Sequence, residues 1–269
     1  MRLIQHKKEA YWFYRFLSLG YDRWVNPLFW TPPMREQALQ LACLDDPALR
    51  VLDAGAGTGF TTEGIVAKVP ARQVTMLDQS PHQLARARNK AALEDCPKLL
   101  GDAEQLPFAD DSFDRYVSAG SIEYWPDPQR GIAEAYRVTR QDGTALVIGP
   151  VRPSNRLARK LAEAWMLFPT QQQYAAWMQA AGFQDVQTKE LAPAWYRDHR
   201  GPYALAVSGV KPAPGPSSLP LAGPPEDLHA SLTAKERVRA AARFVAGAAA
   251  GAAFVPIGAL LALRQRLRG

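Results

Sequence analysis

The stretch that most restricts the fold of this chain is Val51-Leu52-Asp53-Ala54-Gly55-Ala56-Gly57-Thr58-Gly59, an apolar run that breaks into three alternating glycines. Such a segment ends a buried strand and opens a helix, with glycines where the backbone must come close to a ligand. Around it, from Arg50 to Gly149, short apolar runs alternate with helical patterns. That alternation is the mark of a parallel, doubly wound sheet covered on both faces. Strands are expected at Arg50 to Asp53, Gln73 to Leu77, Lys98 to Leu100, Arg115 to Ser118 and Thr144 to Gly149. Two further runs, Gln184 to Glu190 and Tyr203 to Lys211, have no helix between them and suit a closing antiparallel pair. Helix punctuation agrees. Ser80-Pro81-His82-Gln83 and Thr170-Gln171-Gln172-Gln173 read as capping boxes, and Gly182 closes the helix that holds Tyr174 to Ala181.

The glycine spacing is GxGxG, whereas a dinucleotide loop needs GxGxxG to hold a pyrophosphate on the helix N-terminus. Asp53, two residues before Gly55, would repel a pyrophosphate and suits a cationic ligand. S-adenosylmethionine, which carries an ammonium and a sulfonium, fits that requirement. The second strand ends at Asp78, 19 residues beyond Gly59, where a carboxylate can accept both hydroxyls of a ribose. The third ends at Leu100-Gly101-Asp102-Ala103. There Asp102 can accept from an adenine amino group and the Ala103 amide can donate to a ring nitrogen. Any one of these acids alone reads as an ordinary surface residue. Three acids at successive strand tips behind a glycine loop form a cofactor site, because ligands of open α/β sheets bind at the carboxyl ends of the strands. Gln79 and Ser118 are added to the cofactor-side set as neighbours on the second and fourth strands. The fold expected is therefore a class I S-adenosylmethionine-dependent methyltransferase, α/β and Rossmann-like, with a seven-stranded, mostly parallel sheet.

At 269 residues and 47% hydrophobic content the chain can bury one such core with length to spare. Lys and Arg outnumber Asp and Glu 32 to 26, which suits an anionic surface. The basic residues are dispersed, with no compact block interleaved with aromatics, and no nucleic-acid partner is expected. Cys43 and Cys96 lie in no CxxC motif, and His6, His82, His199 and His229 form no ligand pair, so neither a disulfide framework nor a metal is expected. The opening MRLIQHKKEAYWFYRF lacks the apolar core and cleavage site of a secretory signal and reads as mature protein.

The chain divides into an aromatic helical lid (1–43), the catalytic domain (44–211), a linker (212–232) and a terminal helix (233–269). The linker follows from KPAPGPSSLPLAGPPEDL, too dense in Pro, Gly and Ser to supply a packed element. Thr233-Ala234-Lys235-Glu236 then reads as a third capping box before the apolar run Phe244 to Leu263. Those twenty residues at ~1.5 Å each span roughly 30 Å, the hydrocarbon thickness of a bilayer. Arg243 precedes the run and Arg264, Arg266 and Arg268 follow it, as anchors at two interfaces would. The alternative is an Ala-rich helix packed on the domain or lying in the interface, with a kink at Pro256. Gly247 and Gly251 make a GxxxG that is expected by chance in so Gly-rich a run, and no oligomeric state follows from it.

With these motifs placed, almost the whole chain resembles the plastid 2-methyl-6-phytylbenzoquinol and 2-methyl-6-solanesylbenzoquinol methyltransferases of tocopherol and plastoquinone synthesis. The resemblance is carried by Lys7 to Ala10, Gly59 to Thr62, Leu77 to Ala85, Tyr116 to Gly131 and Trp165 to Pro169. It implies C-methylation of a prenylated benzoquinol with S-adenosylmethionine, and a plastid inner-envelope enzyme held by a single C-terminal membrane helix. The chain departs from the family after Leu191, around Arg197 to Pro202, and in the linker. No transit peptide is visible, so either the sequence begins near the mature end or import works differently. Related quinone-pathway methyltransferases have a Tyr-Asp pair similar to Tyr21-Asp22, which implies that Tyr21 contacts the cofactor. The other aromatics from Tyr11 to Phe16 read as packing of an amphipathic helix.

Carbon methylation needs an aromatic carbon held in line with the methyl donor, and a ring hydroxyl whose proton can leave. Glu123 and Tyr124, after the fourth strand, and His199, on the closing hairpin loop, are the candidates for proton handling. For each the ordinary alternative is structural: the first two lead into a helix, and a lone loop histidine is solvated. Two other functions compete. The glycine spacing and Asp53 argue against a nicotinamide oxidoreductase, and only turnover separates the enzyme from an inactive membrane scaffold or a methyltransferase of another prenylquinone or lipid.

Overall fold

The computed structural model describes residues 29–196, 201–221 and 223–224, with isolated positions beyond. The aromatic run before residue 29, Tyr21 within it, His199 and nearly all of the apolar run 244–263 lie outside the described residues. Seven strands form one sheet: β1 (Val51–Ala54), β2 (Val74–Asp78), β3 (Lys98–Leu100), β4 (Phe113–Ala119), β5 (Thr139–Pro150), β6 (Gln184–Leu191) and β7 (Ala204–Val210). Their spatial order is β3-β2-β1-β4-β5-β7-β6. The pairs from β3 to β5 are parallel, and β7 runs antiparallel to both β5 and β6. The order reverses at β1, so the ends of β1, β2 and β4 open a crevice there.

The helices are α1 (Pro32–Leu39), α2 (Phe60–Val66), α3 (Pro81–Arg88), α4 (Pro128–Val138), α5 (Arg156–Trp165) and α6 (Gln171–Ala181). Successive strand residues feed opposite faces, as a pleat requires. Val51 packs with Met34, Leu39 and Ile65 of α1 and α2 on one face. Leu52 packs with Ile132, Tyr174 and Met178 of α4 and α6 on the other. Each such side chain, wholly buried here, contributes about 1.5–3 kcal/mol. Arg35 of α1 donates to the Phe60 carbonyl at 2.8 Å and stacks over the Phe60 ring at 4.7 Å. The residue-32 helix is thereby fastened to the first turn after the glycine loop.

Strand positions follow the expected runs closely, with one instructive difference. β5 starts at Thr139, directly after α4, rather than at Thr144. Thr139 pairs with Phe113, and regular pairing resumes only at Thr144 opposite Arg115. The intervening polar residues, outside the expected run, are a bulge in which Asp142 takes φ 60°. The capping box at Thr170 is complete, with both reciprocal bonds made. That at Ser80 is only half made. Its hydroxyl accepts from the Gln83 amide, but the Ser80 N–H is taken by the Asp78 carboxylate, and the buried Gln83 Oε1 has no hydrogen-bond partner.

The described residues 212–221 and 223–224, after β7, form no helix or strand, yet they are bonded to the domain at successive points. Lys211, fully buried, pairs with Asp111 at 2.6 Å. The Gly215 amide donates to the same carboxylate at 2.9 Å. Ser217 Oγ donates to the Ala181 carbonyl at 2.8 Å, and the Gly223 carbonyl accepts from Arg130 at 2.7 Å. Asp111 and Ala181 lie where strands begin, whereas Arg130 is in the first turn of α4, where β4 has just ended. Residues 212–223 therefore form a strap that climbs from one edge of the sheet to the other. Composition reads as an unpacked linker, and it gave no sign of these attachments. Among the described residues no helix is long and apolar enough to cross a membrane.

Candidate active site

The site starts at the glycine loop. Gly55 takes φ 72°, which glycine alone adopts without strain, and a methyl there would collide with Ser121 Oγ. Its N–H donates to the Leu77 carbonyl at 2.8 Å, binding the loop to the end of β2. Gly57 takes φ 56°, and a methyl at that position would meet nothing within 4 Å. One glycine is thus required by its neighbours, while the other leaves open space beside the loop for a ligand.

Asp78 closes this assembly. One carboxylate oxygen accepts from the Gly57 N–H at 2.8 Å and the other from the Ser80 N–H at 2.8 Å. Burial nevertheless pushes its pKa up to about 6, with the two amide bonds opposing the shift. Asp53 is 1% exposed. Its Oδ2 accepts from Thr62 of α2 at 2.6 Å, and its Oδ1 is buried with no hydrogen-bond partner. Burial raises Asp53 to about 7, with the Thr62 bond opposing and the charge of Asp78 adding to the rise. A buried carboxylate with an unsatisfied oxygen, beside the half-buried Asp78, favours a cation brought to this end of the sheet.

The crevice itself, partly open to solvent, is lined by Gly55, Asp78, Gln79, Asp102, Ala103 and Tyr124 from the expected set. Leu77, Gly101, Glu104, Ser121, Trp125 and Pro126 complete it. Asp102 Oδ1 accepts from the Glu104 amide at 2.9 Å, which fixes the turn after β3. Gly57 and Gly59 are outside the lining, the first bonded to Asp78 and the second at the N-cap of α2 with φ 85°. Asp53 lies at the end of β1, bonded to α2. Ser118 is wholly buried in β4, its Oγ has no hydrogen-bond partner, and it does not line the crevice. Among the described residues no cluster of His, Cys, Asp and Glu is arranged to hold a metal ion.

Ser121 and Trp125 carry a role that motif spacing did not single out. The Trp125 indole N–H donates to Ser121 Oγ at 2.9 Å. Ser121 packs against Gly55, and the Trp125 ring lies against Gly131 of α4. The loop after β4 is therefore held against the glycine loop through the Ser121–Gly55 contact, with Trp125 bracing Ser121 by its hydrogen bond and resting on α4 at Gly131. Only the unusual density of serine, aromatic and glycine residues from Ser118 to Gly131 hinted at this in the sequence.

Glu123 sits in a short 3₁₀ turn (Ile122–Tyr124) after β4. It is 6% exposed, its Oε2 lacks a hydrogen-bond partner, and burial pushes its pKa up to about 8. Its carbonyl accepts from Leu167 at 3.1 Å, so the segment after α5 closes over this turn. The charge of Glu123 adds to the burial that raises Tyr174, whose hydroxyl donates to Pro150 at 3.1 Å. The Glu123 carboxyl thus lies between the ends of β4 and β5, and it does not line the crevice that Tyr124 lines.

A methyltransferase-domain family model matches residues 52–147, which contain every one of these crevice residues. The chain is 54% identical over 259 residues to the chloroplastic 2-methyl-6-phytyl-1,4-hydroquinone methyltransferase of Arabidopsis thaliana, covering 95% of this chain and 76% of that one. It is 56% identical over 230 residues to a second such chloroplastic enzyme, from Oryza sativa subsp. japonica, covering 84% of this chain and 66% of that one. In three dimensions it resembles a SAM-dependent methyltransferase of Thermotoga maritima, with a TM-score of 0.59, 24% identity, and coverage of 75% of this chain and 99% of that one. That last likeness concerns the fold, which is the class I methyltransferase fold. S-adenosylmethionine is the cofactor, and the residues fit it: an unsatisfied buried carboxylate oxygen, an open face at Gly57, and acids ending β1 and β2. Identity at this level along nearly the whole chain, with the crevice residues inside the matched span, places the chain in the family of 2-methyl-6-phytyl-1,4-hydroquinone methyltransferases.

Proposed function

We propose that this chain methylates a ring carbon of 2-methyl-6-phytyl-1,4-benzoquinol and of its solanesyl counterpart, as tocopherol and plastoquinone synthesis require. The observation that carries the reading is the 54% identity over 95% of the chain to an enzyme named for the phytyl substrate. S-adenosylmethionine, when bound, supplies an electrophilic methyl group. Asp78 and Asp102 hold its ribose and adenine, Gln79 and the Ala103 amide flank them, and Asp53 with Gly55, Gly57 and Gly59 shapes the end that takes the cationic part. Tyr21, outside the described residues, is the further candidate for cofactor contact by its resemblance to related enzymes, and Ser118 supports the site from β4.

On the substrate side, Glu123 is the proton acceptor for a ring hydroxyl, because a carboxyl held near 8 is poised to take and release a proton at neutral pH. Tyr124, buried in the crevice wall, orients the ring, and His199 is the second candidate for the proton. Phe244 to Leu263 is a single membrane-spanning helix that holds the enzyme in the plastid inner envelope, supported by its twenty-residue length and flanking arginines. Incubation with labelled S-adenosylmethionine and reduced or oxidised prenylquinones tests the function. The quinol is expected to gain a methyl on carbon and the quinone to be inert, because only the quinol ring is electron-rich. Methyl on oxygen, equal turnover of the quinone, or no turnover of any prenylquinol would refute it, the last leaving the scaffold reading.

A further inference from the structure

Two sets of residues gather at the edge of the sheet where the parallel strands end, and neither takes part in holding the cofactor. The first is basic. α5 follows the end of β5, and Arg156 and Lys160 on it are exposed, with Arg159 half-exposed. The one acid of that helix, Glu163, is paired with Arg152, so α5 presents uncompensated positive charge. The second is aromatic. At the β6–β7 connection Trp195 meets Phe29 at 5.8 Å and Tyr203 at 5.6 Å, and Tyr196 meets Tyr203 at 5.2 Å, all edge-on. Each of these rings is only partly buried. Half-buried aromatic rings beside exposed basic residues match the polarity profile of a bilayer surface, where rings settle at the headgroup level and cations meet anionic lipid. The opposite edge is mixed in charge, with exposed Asp45, Asp46, Asp142 and Asp185 beside exposed Arg50 and Arg140, which pair with Asp114.

The strap adds a direction. It leaves β7 at the opposite edge and ends at Gly223, bonded to Arg130 in the first turn of α4. Arg130 pairs with Asp127 at 3.5 Å, and the Asp127 N–H donates at 2.6 Å to Glu104, which lines the crevice. The chain that carries the apolar run is therefore handed on from the crevice side.

We propose that the strand-end edge of the domain is a lipid-docking face: α5 and the aromatic cluster at the β6–β7 connection rest on an anionic bilayer, and the strap delivers the C-terminal segment to that same edge. The crevice then opens toward the surface at which an isoprenoid quinol exposes its ring, and the tail need not leave the lipid. This rests on the membrane-anchored reading above for the attachment, but not for the orientation.

The full chain bound to phosphatidylcholine–phosphatidylglycerol vesicles tests it. Cys43 is exposed at the opposite edge, where its carbonyl accepts from Arg115 at the start of the β4 pairing, and Cys96 is buried. In the Lys160→Cys variant, a bulky membrane-impermeant maleimide is expected to label Cys43 at the same rate with and without vesicles. The thiol at 160 should be protected several-fold. Protection of Cys43 instead, or of neither thiol, overturns the orientation. In parallel, Arg156→Glu/Lys160→Glu should lower turnover of a vesicle-embedded long-tailed quinol several-fold and leave a short-tailed, water-soluble quinol unaffected. Equal effects on both, or none, also overturn it. The chain ended after Pro224 separates the two readings. If neither the full chain nor this truncation sediments with vesicles, both the anchor and the docking face are wrong; if both sediment equally, the anchor is wrong and the docking face stands. If only the full chain sediments and residue 160 still reacts freely, the anchor stands and the docking face does not.

Discussion

Asp78 joins the glycine loop to the β2–α3 turn through two amide bonds, and its remaining lone pairs leave acceptor capacity for the ribose contact proposed above. Asp78→Ala is expected to weaken S-adenosylmethionine binding by about 1–3 kcal/mol, the usual loss for hydrogen bonds to a charged group, with a fall in melting temperature as the loop loosens. Calorimetry on the folded variant checks this, and unchanged affinity would remove Asp78 from the site. Asp53 is raised to about 7 by burial, so near neutrality it is partly protonated before a ligand arrives. A cationic ligand favours its ionised form, so binding should release a proton and affinity should fall as pH drops below about 7. Calorimetry in buffers of different ionisation heat measures that proton directly, and a heat independent of buffer refutes it. Glu123 has the opposite consequence for stability. With its pKa near 8 in the folded chain and 4.5 as its ordinary value, the folded state binds the proton more tightly. Its contribution is therefore least costly below about 4.5 and is lost progressively as pH rises through 8. Glu123→Gln should melt increasingly above the parent as pH rises across that window, while quinol turnover falls; a constant difference in melting temperature would mean that Glu123 is not buried as a neutral acid.

Among the elements, the strap is the one held by the most separable contacts. Ser217→Ala removes the hydroxyl that donates to Ala181 and accepts from the Leu219 amide. A loss of about 1 kcal/mol in unfolding free energy is expected, with faster cleavage by subtilisin between residues 212 and 223. Unaltered cleavage would show that the strap is held elsewhere. The strap also marks where sequence reading stopped. Strands β1, β2 and β4 could be read as apolar runs because they are largely buried, and the edge strand β3, with Leu100 exposed, was read from its short run before Gly101. The bulge in β5 was missed because Arg140 to Gly143 has turn composition, and a bulge and a turn draw on the same residues. Asp78 and Asp102 were found by their place at strand tips. Ser121 was not, since its role depends on Gly55, 66 positions away, which no local pattern encodes, and Trp125 acts through Ser121. Lys211 pairing with Asp111, across the whole of β4 to β7, was invisible for the same reason.

At the scale of the whole molecule, the catalytic domain closes its own core: the two faces of the sheet are covered by α1 and α2 on one side and α4 and α6 on the other. The bonds of the strap end at Gly223, so a cut after Pro224 keeps every contact between described strap residues and the domain, whereas a cut at Leu221 would strip Arg130 of its carbonyl partner. Ending the chain after Pro224 is therefore expected to leave S-adenosylmethionine affinity and melting temperature close to those of the full chain. Carbonate-washed membranes should retain the full chain and release the truncated one. Turnover should then divide by substrate: a short-tailed quinol in solution is methylated equally by both, and a long-tailed quinol in vesicles is methylated well only by the full chain, because the anchor raises the effective concentration of enzyme at the lipid surface. Retention of the truncated chain on washed membranes would move the anchor into the residues before 29. Equal turnover of the embedded substrate would mean that the domain finds the bilayer unaided, leaving the apolar run no kinetic role.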